Sequence, residues 1–152
     1  MRDCSCTSTR RGTTLGELVV VLLVVALIAS FVLPSLKRGF DRIAVRGAGR
    51  ELLMLFFSAR ASAIARGRRT AVAIDAPRGR VRVVSYGDTL LARRVGAVHG
   101  VRLVATRDSM TYYPNGLAFG GANLSIVITR GSAAETLLVS REGRVKLGAR
   151  AR

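Results

Sequence analysis

The side chains that could support catalysis in this sequence are few, and their spacing does not assemble them. His99 is the single histidine, so a Ser-His-Asp or Cys-His relay has only one possible base. It stands in Val98-His99-Gly100, a loop-like setting with no nucleophile signature. Cys4 and Cys6 lie far upstream, and one Cys-x-Cys with a distant histidine is a poor metal set. The carboxylates do not cluster like a cation site, and no glycine-rich stretch has P-loop form. The expectation is a protein with no catalytic residue, no metal and no cofactor.

Charge is the other chemistry available, and one charge is out of place. Between Leu15 and Leu36 there is no lysine or arginine and a single carboxylate, Glu17. The apolar run from Thr13 to Leu36 makes roughly 36 Å of helix at 1.5 Å per residue, enough to cross a bilayer. The positive flank Arg10-Arg11 before it argues that the N-terminus stays cytoplasmic and the remainder lies across the inner membrane. A secretory signal has a shorter apolar core and a small-x-small cut site. A plain anchor fits the length but leaves Glu17 unexplained. A carboxylate costs about 2–3 kcal/mol at mid-membrane, less near the interface, and persists where a partner neutralises it.

The remaining charge is strongly positive. Formal net charge is +16, and residues from Lys37 onward carry +15 of it. An anionic partner, nucleic acid or an acidic membrane surface, is one explanation. The other is compositional, because 23 arginines stand against two lysines, Lys37 and Lys146, as in the product of a GC-rich genome. Near the end, Gly143-Arg144-Val145-Lys146 is followed by Arg150 and Arg152. On a strand, Arg144 and Lys146 would share one face about 7 Å apart, a spacing suited to neighbouring phosphates.

The elements that position these groups follow from periodicity. Phe40, Ile43, Ala44, Ala48, Leu52, Leu55, Phe56, Ala59, Ala63 and Ile64 recur at three and four. Pro34 should bend this helix without ending it, and Gly67 is its expected stop. The helix therefore divides into an apolar half, 13–36, and an amphipathic half, 37–66. Beyond it, 67–152 reads as a domain of short strands: Thr70–Asp75, Arg80–Tyr86, Thr89–Val95, Val101–Thr106, Met110–Tyr113, Leu124–Arg130, Thr136–Ser140 and Arg144–Leu147. Turns are expected at Ala76–Gly79, Gly87-Asp88, Pro114–Gly116, Gly120-Gly121, Arg130-Gly131 and Glu142-Gly143. The fold class is α+β: a long N-terminal transmembrane helix that continues as a spine, then a small antiparallel β-sandwich-like domain.

Two stretches resemble a known family. Gly12-Thr13-Thr14-Leu15-Gly16-Glu17-Leu18 with Val19-Val20-Val21 resembles the N-terminal signal of type IV prepilins. Tyr112-Tyr113-Pro114-Asn115-Gly116, the strand 124–130 and Leu138-Val139-Ser140-Arg141-Glu142-Gly143-Arg144-Val145 resemble the FimT/GspH group of minor pilins and pseudopilins. The resemblance implies that residues 1–12 are a leader, cut between Gly12 and Thr13 by prepilin peptidase, which methylates the new terminus. Glu17 then becomes the fifth mature residue, and Pro34 takes the place of the helix-kinking proline. Thr13 stands where the family has phenylalanine, and Gly16 where it has a branched aliphatic residue. The partner implied for Glu17 is the N-terminal amine of a neighbouring subunit, a charge pair that sets axial register. The other implied partners are further pilins or pseudopilins. Some FimT-like proteins contact double-stranded DNA through a C-terminal Gly-Arg-x-Arg, matched here by Arg144 and Lys146, with Arg150 and Arg152 beyond. Two functions follow: a type IV minor pilin with sequence-independent DNA binding in DNA uptake, or a GspH-like minor pseudopilin in the tip of a type II secretion system.

Overall fold

The computed structural model describes residues 14–119 and 123–149. The chain divides into two compact units, Met1–Leu36 and Lys37–Arg152. Helix α1 spans Leu15–Arg66, running through Pro34 without interruption, and so supplies residues to both units. Gly67 follows with φ 61°, and Arg68 N–H returns to the Ala63 carbonyl. Left-handed backbone at that point stops the helix, and glycine takes it up without a Cβ clash.

In the first unit every described side chain from Thr14 to Leu36 is exposed except Ala29, which is half-buried. This stretch of α1 is long and apolar enough to cross a membrane, by length and composition. Its two serines need nothing from outside: Ser30 Oγ donates to Leu27 O at 2.7 Å and Ser35 Oγ to Val32 O at 2.8 Å. Hydroxyls bonded back into their own helix are tolerated in apolar surroundings.

The second unit is built on the rest of α1. Its inward stripe is Asp41, Val45, Ala48, Gly49, Leu52, Leu55, Phe56, Ala59 and Ala63. Phe40, Ile43 and Ile64, which the periodicity assigns to that stripe, are exposed. The buried face is therefore turned by about one residue at its lower end and begins with an acid.

Strands β1 (Thr70–Asp75), β2 (Arg80–Ser85), β3 (Asp88–Arg93), β5 (Ser109–Tyr112) and β6 (Ala118–Phe119) form one sheet, ordered β3-β2-β1-β5-β6. Strands β4 (Arg102–Ala105), β7 (Leu124–Arg130), β8 (Ala133–Val139) and β9 (Val145–Ala149) form a second, ordered β4-β7-β8-β9. All pairings are antiparallel. Alternation decides which face is buried: Val72 and Ile74 of β1, Val81 and Val83 of β2, Ile126 and Ile128 of β7, Leu137 and Val139 of β8. These side chains and the α1 stripe form one core. Fully burying each large member contributes about 1.5–3 kcal/mol.

Several elements differ from the sequence expectation. Strand β6 has no counterpart there, β8 starts at Ala133 where the expected start is Thr136, and β3 ends at Arg93 where the expected end is Val95. The loop expected around His99 is a short helix, α2 (Val95–His99), with Val95 fully buried. It lies against the β1–β2 turn through a glycine pair: a Cβ on Gly79 would come within 2.7 Å of the Gly96 Cα, and Gly96 N–H bonds Gly79 O at 2.9 Å. Strand β9 begins at Val145, so Arg144 precedes it. The expected turn at Gly120-Gly121 lies outside the described residues.

Candidate assembly helix and anion-binding surface

At the start of α1, Thr14 is the N-cap. Its Oγ1 accepts from Glu17 N–H at 3.2 Å, and its carbonyl accepts from Leu18 N–H at 3.2 Å. Thr14-Leu15-Gly16-Glu17 has the Ser/Thr-x-x-Glu form of a capping box, a signal the sequence reading passed over. Glu17 thus sits in the first turn, where a carboxylate also complements the helix dipole. Its carboxylate has no partner among the described residues, and the apolar side chains around it in sequence are exposed. Pro34 lies inside α1. Gly12 and Thr13, the expected cleavage pair, fall outside the described residues, as do Cys4 and Cys6.

The C-terminal basic residues are brought together by the β8–β9 turn. Ser140 N–H donates to Arg144 O, Gly143 N–H donates to Ser140 O, both at 2.9 Å, and Arg144 N–H donates to Ser140 Oγ at 3.2 Å. This tight turn projects Arg141, Arg144 and Lys146 into one cleft of about 670 Å³, with Asn123, Leu138 and Glu142 among its other walls. Two particulars differ from the sequence expectation. Arg144 is a turn residue and not a strand neighbour of Lys146, and its Nε lies 3.2 Å from Glu142 Oε2. Both members of that pair are mostly exposed, so the pair is worth about 0–1 kcal/mol and yields readily to a phosphate. Arg150 and Arg152 lie outside the described residues.

A second polar assembly ties α1 to the sheets and was not foreseen. Arg130 Nε meets Asp41 Oδ1 at 3.0 Å, and Arg130 Nη1 donates to His99 O at 2.6 Å. His99 Nε2 stands 2.8 Å from Glu51 Oε2, and Arg93 Nε lies 3.9 Å from Glu51 Oε1. His99 is therefore engaged by its own fold. Asp41 is buried, with the backbone of Gly131 pressed so close that a Cβ there would collide with its carboxylate. The available signal was an acid set between apolar positions of an amphipathic helix.

The sheet order, the helical stripe and the C-terminal turn can be set against known proteins. The family model described as Type II transport protein GspH matches residues 48–143, more than half of the chain. The chain belongs to the GspH family. This GspH-family chain is similar in structure to the type IV minor pilin FimU of Pseudomonas aeruginosa, with TM-score 0.60 and 17% identity over 70% of this chain and 90% of FimU. A second crystal form of FimU gives TM-score 0.57 and 16% identity over 68% of this chain and 91% of that one. The minor pseudopilin EpsH from the Type 2 Secretion System of Vibrio cholerae aligns with TM-score 0.50 and 14% identity, over 72% of this chain and 96% of EpsH. At these identities the likeness is one of fold: a long N-terminal helix followed by antiparallel sheets. No curated protein sequence matches the chain. The GspH-family assignment makes it a minor pilin or pseudopilin of the type IV pilus or type II secretion class.

Proposed function

We propose that this protein is a minor pilin of a type IV pilus whose C-terminal turn binds DNA without regard to sequence. The leader, residues 1–12, is removed by prepilin peptidase, the new N-terminus at Thr13 is methylated, and the apolar half of α1 holds the chain in the inner membrane until assembly. The globular unit then lies outside the cytoplasm. In the filament Glu17 answers the terminal amine of a neighbouring subunit. That its carboxylate has no partner among the described residues of its own chain supports this reading.

The DNA reading rests on one observation: Arg141, Arg144 and Lys146 line a single cleft in which Glu142 is the one acid among the described residues. Cations spaced along a groove suit the phosphates of a duplex, and lysine supplies charge where arginine would supply a fork. Arg150 and Arg152 follow closely in sequence and extend the positive run. A gel-shift titration of duplex DNA with a fragment of residues 37–152, repeated at several salt concentrations, tests it. Three phosphate contacts give a log–log salt slope of about −2.7, and Arg144→Ala/Lys146→Ala reduces it to about −0.9. Absence of binding at low salt overturns the DNA reading.

The family's description as a Type II transport protein favours a second reading, a minor pseudopilin at the tip of a secretion pseudopilus. Co-purification of the full chain with other pseudopilins, together with failure to bind DNA, would decide for it.

A further inference from the structure

The register of β2, β1 and β5 sets three side chains next to one another just beyond the sheet. Thr70 pairs with Ser85 on one side and Tyr112 on the other. The residues one step further out, Arg69, Tyr86 and Tyr113, are therefore neighbours. Their footing is fixed from below: Thr70 and Ser85 are buried, Thr70 Oγ1 donates to Ser85 Oγ at 3.3 Å, and Ser85 Oγ donates to Arg69 O at 3.3 Å. The Arg69 guanidinium lies 4.7 Å from the centre of the Tyr113 ring, and that of Arg68 lies 5.4 Å from the centre of Tyr86. Phe119 meets Tyr113 edge-on, centroids 5.3 Å apart. With Gly67 and Pro114 these arginines and tyrosines line a cleft of about 510 Å³, within the range of small-ligand sites.

Tyr86 sets this cleft apart. It is 86% exposed and has φ 54°, making it the one non-glycine residue with positive φ among the described residues. With Gly87, at φ 94°, it forms the two-residue link between Ser85 and Asp88. Such links favour Asn-Gly or Gly-Gly, and a bulky aromatic residue there is an outlier. The ring adds little to the core, so packing does not account for the strain. Strain of this kind accompanies ligand sites, and the charges beside it indicate which ligand. Neither Arg68 nor Arg69 is in an ion pair among the described residues, and Asp88 across the turn does not pair with them.

We propose that this cleft binds single-stranded nucleic acid, with bases stacked on Tyr86 and Tyr113 and phosphates held by Arg68 and Arg69. Every base offers a π-face to an aromatic ring, and guanidiniums serve both the backbone and the rings. A duplex hides those faces, so the cleft discriminates by strandedness. An acidic peptide would use the arginines and leave the rings idle. The site shares no lining residue with the cleft at Arg144, although Gly143 of that turn packs on Tyr112 and Gly116.

The test is fluorescence anisotropy with the full chain in neutral detergent micelles. The probes are a thymidine oligonucleotide, an abasic strand of the same length, and a duplex. The base-bearing strand should bind about tenfold more tightly than the abasic one. Tyr86→Gly removes the ring and relieves the backbone. It should keep or raise the melting temperature, weaken binding of the base-bearing strand about tenfold, and leave abasic binding unchanged. Tyr113→Leu should act in the same direction. Equal affinity for the two strands, or unchanged affinity in Tyr86→Gly, overturns the proposal, and a cleft made for an acidic protein segment would give that result. Arg144→Ala/Lys146→Ala should preserve the difference between the two strands. Absence of duplex binding by the parent chain, with that difference intact, refutes only the reading of the C-terminal turn.

Discussion

Replacing Arg130 by methionine isolates the ion pair that holds the lower part of the globular unit. Arg130→Met keeps most of the aliphatic stem and removes both the contact to Asp41 at 3.0 Å and the one to His99 O at 2.6 Å. A hydrogen bond to a charged group contributes about 1.5–3 kcal/mol. Stranding a buried charge costs about 3–5 kcal/mol where water is fully excluded. The Asp41 side chain is only 10% exposed but that of Arg130 is 40% exposed, so water can replace part of what the guanidinium supplied. The expected loss is then about 2.5 kcal/mol. With an unfolding entropy of about 2.1 cal/mol/K per residue over roughly 115 residues, the midpoint falls by about 10 °C. Thermal unfolding of residues 37–152 followed by circular dichroism measures it. Asp41→Ala/Arg130→Met leaves no stranded charge and should be less damaging than the sum of its parts by about 1–2 kcal/mol. A single-variant loss below about 0.5 kcal/mol, or strict additivity, would show that the pair is not coupled as described.

Three further outcomes follow from particular contacts. The Tyr112 hydroxyl is buried without a hydrogen-bond partner, and burial pushes its pKa up to about 12, with the Arg60 charge acting in the lowering direction. The folded chain keeps that proton longer than the unfolded chain, whose tyrosines titrate near 10. The associated stability of about 2–3 kcal/mol is therefore complete below about pH 10 and is lost as pH climbs toward 12. Urea unfolding near pH 8 and near pH 11 should show Tyr112→Phe within about 0.5 kcal/mol of the parent at the lower pH and less sensitive to the rise. A Cβ on Gly39 meets no atom within 4 Å, whereas one on Gly49 meets Glu135 Oε2 and Leu147 Cδ2 at 3.0 Å. In melts of the full chain in detergent, Gly39→Ala should add about 0.5–1 kcal/mol and Gly49→Ala should lose about 1 kcal/mol. Glu17→Ala should still be cut by the peptidase but remain in the membrane fraction, and its presence in sheared filaments would refute the role given to that carboxylate.

Strands with strong alternation were legible from sequence: β1 and β7 have the bounds that alternation assigns. Where side chains are small, the pattern weakens. Ala133 and Ala134 belong to β8 because Arg130 and Thr129 pair with them, a constraint written in the partner strand. The two-residue β6 is too short to carry a period, and α2 is a single turn held by Gly79 and Val95. The lower face of α1 was misplaced because hydrophobic periodicity prefers Phe40 and Ile43 to Asp41. The acid is buried only because Arg130, distant in sequence, reaches it. The basic turn was legible as composition, but the Glu142 contact to Arg144 depends on how Glu142-Gly143 folds. Nothing in the sequence singles out Arg68 and Arg69, because it is strand register that sets tyrosines beside them.

No side chain from Thr14 to Leu36 is counted in the core. The core of the second unit is thus built without them. In the assembly proposed for this chain, moving the stem from lipid into a bundle of other stems leaves that core unchanged. A head that melts early and a stem that fails to incorporate should therefore arise from different sets of substitutions.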